Sequence, residues 1–169
     1  MRIAVAGGTG VVGRHAVEAA RAAGHEVVVL SRSSGADVLT GAGLDERMQG
    51  ADAVIDVTNT TTLSAAKAVK FFETATRNLL AAESRAGVTH HVALSIVGID
   101  GIDASYYAGK LAQERAVAAG SVPFTIARAG QFHEFAGQLL SRMSGPVAVL
   151  PKLLMPVSYT HLRAHETLR

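Results

Sequence analysis

The chain has 169 residues, 49% of them hydrophobic, with 16 Lys and Arg against 14 Asp and Glu for a formal charge of +2. That length holds one domain with a sizeable core and too little for two, and the apolar content argues against extended disorder. The basic side chains are scattered, which argues against a nucleic-acid partner, and the absence of cysteine excludes disulfides and thiolate chemistry.

In chain order, Ile3–Ala6 reads as a short buried strand that ends in Gly7-Gly8. It begins almost at Met1 and is too short for a signal peptide or a membrane span, so the expected location is cytoplasmic, with no membrane partner. From Val11 to Ala23 the pattern is helical, with Gly24 as its stop. Glu26–Leu30 is a β-branched strand, a short helix lies around Leu44–Met48, and Ala53–Val57 is a third strand. Ser64 is placed to cap a long helix reaching Arg85 and closed by Gly87. Ala68, Phe71, Phe72, Ala75, Leu79 and Ala82 form its apolar face. The strand His91–Ile96, the helix Tyr106–Ala119 and the strand Phe124–Ala127 follow. Strands alternating with crossover helices predict an α/β fold with a doubly wound, mostly parallel sheet covered on both faces.

Gly7, Gly10 and Gly13 lie between the first strand and the first helix in a G-x-x-G-x-x-G spacing, with Thr9, Val11 and Val12 between them. Such a loop needs a tight turn, close backbone approach to a pyrophosphate and close helix–sheet contact, while the helix N-terminus offers N–H groups to the phosphates. No phosphate-loop Lys-Ser/Thr pair follows, which disfavours a P-loop NTPase. The expected ligand is a nicotinamide dinucleotide. An acid near Leu30 or Ser31 would select NAD; this chain has Ser31-Arg32-Ser33-Ser34 instead, with Arg14 just past the glycine loop. A guanidinium and hydroxyls suit a 2′-phosphate, so NADP is expected over NAD. Arg32 also fits an ordinary solvated side chain.

Tyr106 and Lys110 stand four apart near the start of a helix and share a face. A neighbouring ammonium would lower the phenol pKa of a proton-exchanging tyrosine. Ser95, at the C-terminal end of the preceding strand, could hydrogen-bond a substrate oxygen, and such strand ends converge on the ligand crevice. Tyr107 is the competing phenol, three residues from Lys110, and a purely structural Tyr106 is the other reading.

Taken together, GGTGVVGRH, VIDVTN, LSIVGID, YYAGKLAQE and PFTIARAGQFHEF, spanning residues 1 to about 157, resemble the atypical branch of the short-chain dehydrogenase/reductase superfamily. The branch is similar to NmrA-like and nucleoside-diphosphate-sugar-epimerase-like proteins. The resemblance implies a Rossmann fold with strand order 3-2-1-4-5-6. It puts Asp37 and Val38 near the adenine and Thr58 and Asn59 along the cofactor wall. It also implies that Lys110 binds the nicotinamide ribose, with Tyr106 as proton donor and Ser95 as its helper. Ser95 and Tyr106 are 11 residues apart, slightly closer than the usual classical spacing, and residues 96–103 are expected to absorb the difference.

Gln131–Phe135 is expected to begin a helix along the substrate, with Phe132 turned inward and His133 at the rim. Residues 1–157 are expected to form the NAD(P)-binding domain, C-terminally truncated relative to such proteins. Residues 158–169, Ser158 to Arg169, resemble a translation of adapter DNA and read as non-native. His161, His165 and Glu166 fall in that segment and specify no third ligand partner, so no metal is expected. The leading expectation is an NADP-dependent oxidoreductase acting on a small carbonyl, quinone or related acceptor. A dinucleotide-sensing protein without turnover and a nucleotide-sugar epimerase are the alternatives, the last ranked third because little chain remains for a sugar-nucleotide domain. The sequence carries no signal for oligomeric state.

Overall fold

The computed structural model describes residues 1–130. These form five strands, β1 (Arg2–Ala6), β2 (Glu26–Leu30), β3 (Ala53–Asp56), β4 (His90–Ile96) and β5 (Phe124–Ala129), and four helices, α1 (Val11–Ala22), α2 (Leu44–Met48), α3 (Ala65–Ala86) and α4 (Ser105–Ala118). All strand pairs are parallel, in the order β2-β1-β3-β4-β5. Each element predicted within these residues is present, with ends displaced by at most two residues; the helix expected from Gln131 lies outside them. Ser64 accepts from the Lys67 N–H at the start of α3, and left-handed Gly87 closes it, as the capping residues predict. Among the described residues no helix is long and apolar enough to cross a membrane.

Apolar residues of β1 alternate between two cores, as a strand buried on both faces requires. Ile3 and Val5 pack with Val17 and Ala20 of α1. Ala4 and Ala6 pack with Leu30, Val54, Leu44, Met48, Leu79 and Ala82, beneath α2 and α3. Helix α4 lies against α3 at Gly109. A Cβ there would sit 2.7 Å from Phe72 Cδ2 and 2.8 Å from Ala68, so only glycine allows the helices this close. Phe72, fully buried, packs edge-on against Phe71 and Tyr106; burial of such a ring contributes roughly 1.5–3 kcal/mol.

The order 3-2-1-4-5-6 needs correction at one edge: β2 is the edge strand, and no further strand follows it before β3. The segment after β2 closes on itself. Ser31 and Ser34 form a capping box around a single 3-10 turn, Arg32–Ser34. Gly35, Gly41 and Gly43 take positive φ. Gly43 lies so close to the Gly35 carbonyl that a Cβ would be 2.0 Å from that oxygen. A chain turning this often cannot extend along β2. Phe132, His133 and residues 158–169 lie outside the described residues.

Behind the sheet, His91 on β4 and Glu83 on α3 form a fully buried pair, Nδ1 to Oε1 at 2.8 Å. Burial opposes charge on His91, but the hydrogen bond and attraction of Glu83, helped by Asp56, outweigh it and raise its pKa above the ordinary 6.5. A raised folded-state pKa stabilises the fold most below pH 6.5, and that contribution is lost as pH rises through the folded value. Glu83→Gln should therefore cost about 3 kcal/mol at pH 6, the scale for losing one partner of a buried pair. The gap to wild type should narrow towards pH 9. Urea unfolding of both proteins at the two pH values checks this; a gap independent of pH would refute it.

Candidate functional site

The β1–α1 junction is built on glycine. Gly7 takes φ 78°, and a Cβ on it would meet the Val57 carbonyl at 2.8 Å; one on Gly13 would lie 2.1 Å from the Gly7 oxygen. Helix α1 therefore begins hard against the end of β1. Its N-cap, Gly10, has no side chain to cap the first turn, which leaves N–H groups for an anion in front of it.

In front of this turn lies a groove of about 340 Å3 between the ends of β1, β2 and β3, lined by Gly7, Thr9, Gly10, Ser31, Arg32, Asp37, Val38, Thr58 and Asn59. The fold thus brings together the predicted phosphate, selector, adenine-side and wall residues. Leu30, Ala36, Leu39, Val57 and Phe71 complete the lining; as apolar residues of a strand, loops and a helix, they carry no sequence signal distinct from core. Val11, Val12 and Gly13 form the first turn of α1 behind the loop. Among the described residues Arg32 makes no ion pair, so its guanidinium is uncommitted in this groove. Asp37 accepts from the Leu39 N–H at 2.8 Å, shaping the loop beside it. The glycine-held turn, the uncapped helix end and the polar-rimmed groove fit a dinucleotide phosphate and adenosine.

The Tyr–Lys helix is arranged differently from its expectation. Lys110 is 3% exposed. Its ammonium donates to Gln113 Oε1 and lies over the Phe72 ring, 4.6 Å from the centroid. Burial lowers its pKa to about 8 against the attraction of Asp56 and Glu114. Tyr106 packs on Phe72 and Tyr107, and burial, then repulsion from Tyr107 and Asp56, pushes its pKa up to about 12. The expected lowering by Lys110 is thus reversed, because the ammonium is committed to Gln113 and desolvation dominates the phenol. Ser95 Oγ is buried near the end of β4 and has no hydrogen-bond partner among the described residues, so it makes no hydrogen bond with the Tyr106 hydroxyl. Such an orphaned hydroxyl costs about 1–3 kcal/mol, a cost a bound polar group would relieve. Ser95, Tyr106 and Lys110 are not among the residues lining the groove.

The loop between Ser95 and Tyr106 absorbs the short separation through left-handed residues. Gly98 and Gly101 have φ 77° and 78°, and Ser105, immediately before Tyr106, has φ 51°, a strained value for a non-glycine residue. Arg128 pins this loop: it donates to both oxygens of Asp100 at 2.7 and 2.8 Å and to both of Glu114 at 2.7 and 3.0 Å. The forked pairing raises the Arg128 pKa and lowers that of Asp100. Arg128, Asp56 and Gln113 were not singled out from the sequence, because the pairings of Arg128 with Asp100 and Glu114 and of Gln113 with Asp56 join distant positions, and a glutamine three residues after a helical lysine carries no signal by itself. Among the described residues no cluster of three His, Cys, Asp or Glu could hold a metal ion; His161, His165 and Glu166 lie outside them.

A parallel sheet, a glycine turn at the head of its first helix, and a groove at the ends of the central strands define a Rossmann-type α/β nucleotide-binding protein. The profile of the NAD dependent epimerase/dehydratase family matches residues 3–129, and the chain belongs to that family. Comparison with curated proteins gives no match. Among solved structures it is similar to a short-chain dehydrogenase/reductase superfamily protein from Agrobacterium tumefaciens with bound NAD: 25% identity, 76% of this chain and 48% of that one, TM-score 0.60. It shares the fold of UDP-N-acetylglucosamine 4-epimerase from Bacillus cereus, with 23% identity, 76% and 58% coverage and TM-score 0.66. The same holds for triphenylmethane reductase from Citrobacter sp. complexed with NADP(H), with 18% identity, 80% and 52% coverage and TM-score 0.66. The chain spans about half the length of the Agrobacterium protein.

Gly13→Ala should abolish dinucleotide binding while leaving the sheet intact, since the added methyl would drive into the Gly7 carbonyl and displace the turn from the head of α1. Fluorescence titration with NADH and NADPH, alongside circular dichroism, checks it; undiminished affinity would refute the steric argument.

Proposed function

We propose that this chain binds a nicotinamide dinucleotide in the groove at the glycine turn and uses it for oxidoreductase-type chemistry on a small molecule at the adjoining strand ends. The observation that carries this reading is the groove itself, where the glycine turn, Arg32, Asp37 and Thr58 face one cavity. When bound, the dinucleotide supplies hydride exchange at its nicotinamide ring. The first-turn N–H groups of α1 hold its phosphates, and Ser31, Arg32, Asp37 and Val38 surround its adenosine end. Thr58 and Asn59 form the wall towards the ring. Tyr106, with a pKa near 12, keeps its proton at neutral pH, which suits donation to a substrate oxygen better than abstraction from one. Ser95 brings a hydroxyl unpaired among the described residues to the same strand ends, and Lys110 is the cation of this site.

Family membership supports an epimerase or dehydratase reaction over the net reduction of a carbonyl or quinone expected from sequence. The length argument that ranked an epimerase third carries no weight for a chain that covers only about half of the structures it resembles. NADP preference rests on Arg32, whereas the Agrobacterium relative holds NAD; we keep NADP as the proposal because no acid stands at positions 30 or 31.

Two measurements test this. Arg32→Ala should weaken NADPH binding about 10-fold, roughly the 1.4 kcal/mol of a charge-assisted contact, and leave NADH unchanged; equal wild-type affinities for the two would overturn the NADP preference. A panel of nucleotide sugars, carbonyls and quinones, followed by NMR of products and by dinucleotide absorbance, separates isomerisation from net reduction. Tyr106→Phe should abolish turnover and spare dinucleotide binding, and undiminished turnover would remove Tyr106 from the chemistry.

A further inference from the structure

We propose that Asp56 and Gln113 are positioning residues that hold Lys110 as a buried cation and tie it to the groove wall at Thr58. This rests on the reading of Lys110 as the cation of the dinucleotide site. The three side chains form one chain of contacts. Gln113 Nε2 donates to Asp56 Oδ2 at 2.7 Å, which turns its amide oxygen towards the Lys110 ammonium. The other carboxylate oxygen, Oδ1, accepts the Thr58 N–H at 2.8 Å. Asp56, Gln113 and Lys110 are 0%, 1% and 3% exposed, so no water competes, and the amide can be read in only one orientation. A carboxylate fixes the donor end of the amide, and the acceptor end is left for the cation.

An isolated ammonium would not remain charged at such a depth. The charged groups acting on it are Asp56 from β3 and Glu114 from its own helix. Glu114 is already paired with Arg128 of β5, and α3 contributes only the Phe72 ring face. Asp56, relayed through Gln113, is therefore the principal counter-charge. Because the same carboxylate holds the Thr58 amide, and Thr58 lines the groove, the wall turn and the lysine share one anchor. Asp56 ends β3 at the switch point of the sheet, and Gln113 stands one helical turn beyond Lys110. Neither position touches the groove, so these are positioning roles.

The experiment is a pH titration of the full chain labelled with 13C-lysine, without ligand. Lys67, Lys70, Lys110 and Lys152 are its only lysines, and the signal absent from Lys110→Arg identifies the one of interest. Wild-type Lys110 should titrate well below the ordinary lysine value of 10.5. Gln113→Met removes the acceptor at similar volume and should lower the midpoint by about 1 pH unit or more. Asp56→Asn should do the same: the new amide still accepts from Thr58 but presents its NH2 to Gln113, which must then aim its own NH2 at the ammonium. Restoring an acceptor with Gln113→Glu should return the Lys110 midpoint to the wild-type value or above. A wild-type Lys110 that titrates at the ordinary lysine value of 10.5, or midpoints unmoved in both Gln113→Met and Asp56→Asn, overturns the proposal; the wild-type titration decides even if the variants do not fold. NADH and NADPH are then added to the same wild-type sample. Absence of binding of either defeats the dinucleotide reading and leaves the outcome of the ligand-free titration standing.

Discussion

Gly13 rests against the Gly7 carbonyl with no room for a side chain, and much of the molecule follows from that contact. It brings the first turn of α1 down onto the end of β1, so that α1 crosses the sheet over Ile3 and Val5 and returns the chain to β2 in register with β1. It also leaves the uncapped head of α1 at the point where the chain leaving β1 and the chain leaving β3 run to opposite sides of the sheet order. An anion-binding end and a crevice thus arise from the same steric fact. Without the close approach, α1 would stand off the sheet and the groove would lose its floor.

The opposite face is organised by a second close approach, that of α4 to α3 at Gly109. It places Phe72 between the two helices, where its ring meets Tyr106 on one side and the Lys110 ammonium on the other. The consequence is electrostatic. Tyr106 and Lys110 are both desolvated by the packing that positions them, so the phenol rises to about 12 and the ammonium falls to about 8. Both shifts move each group towards its neutral form, and the internal counter-charge of Asp56 limits the effect on the lysine. At neutral pH the phenol therefore keeps its proton and the lysine is still a cation, though close to its titration point, with Ser95 as a buried hydroxyl unpaired among the described residues near the end of β4.

The loop following β4 illustrates how local strain and distant charge combine. Two left-handed glycines and a left-handed Ser105 turn the chain into α4, and such geometry persists only where surrounding structure holds it. Arg128, on the last described strand, supplies that restraint by gripping Asp100 of the loop and Glu114 of the helix together. The start of α4, and with it Tyr106, is thereby positioned by a residue 22 places further along the chain.

Local patterns in the amino-acid sequence determined the strands, the helices, the caps at Ser64 and Gly87, and the glycine turn, because each depends on steric and hydrogen-bonding preferences acting over a few residues. The alternation of those elements was enough for a parallel, doubly wound sheet, and for placing Gly7 and Arg32 at one end of it; Asp37 and Thr58 were placed there only by the family resemblance. What the sequence could not settle depends on contacts between distant segments. The missing edge strand follows from how Gly43 closes on Gly35. The partner of Lys110 is Gln113 backed by Asp56, 57 residues away from it, and not the phenol four residues earlier. Spacing along a helix shows which side chains share a face. The charge a side chain carries depends on how much water the fold removes around it and on which counter-charge the fold brings near, and only the tertiary structure decides both.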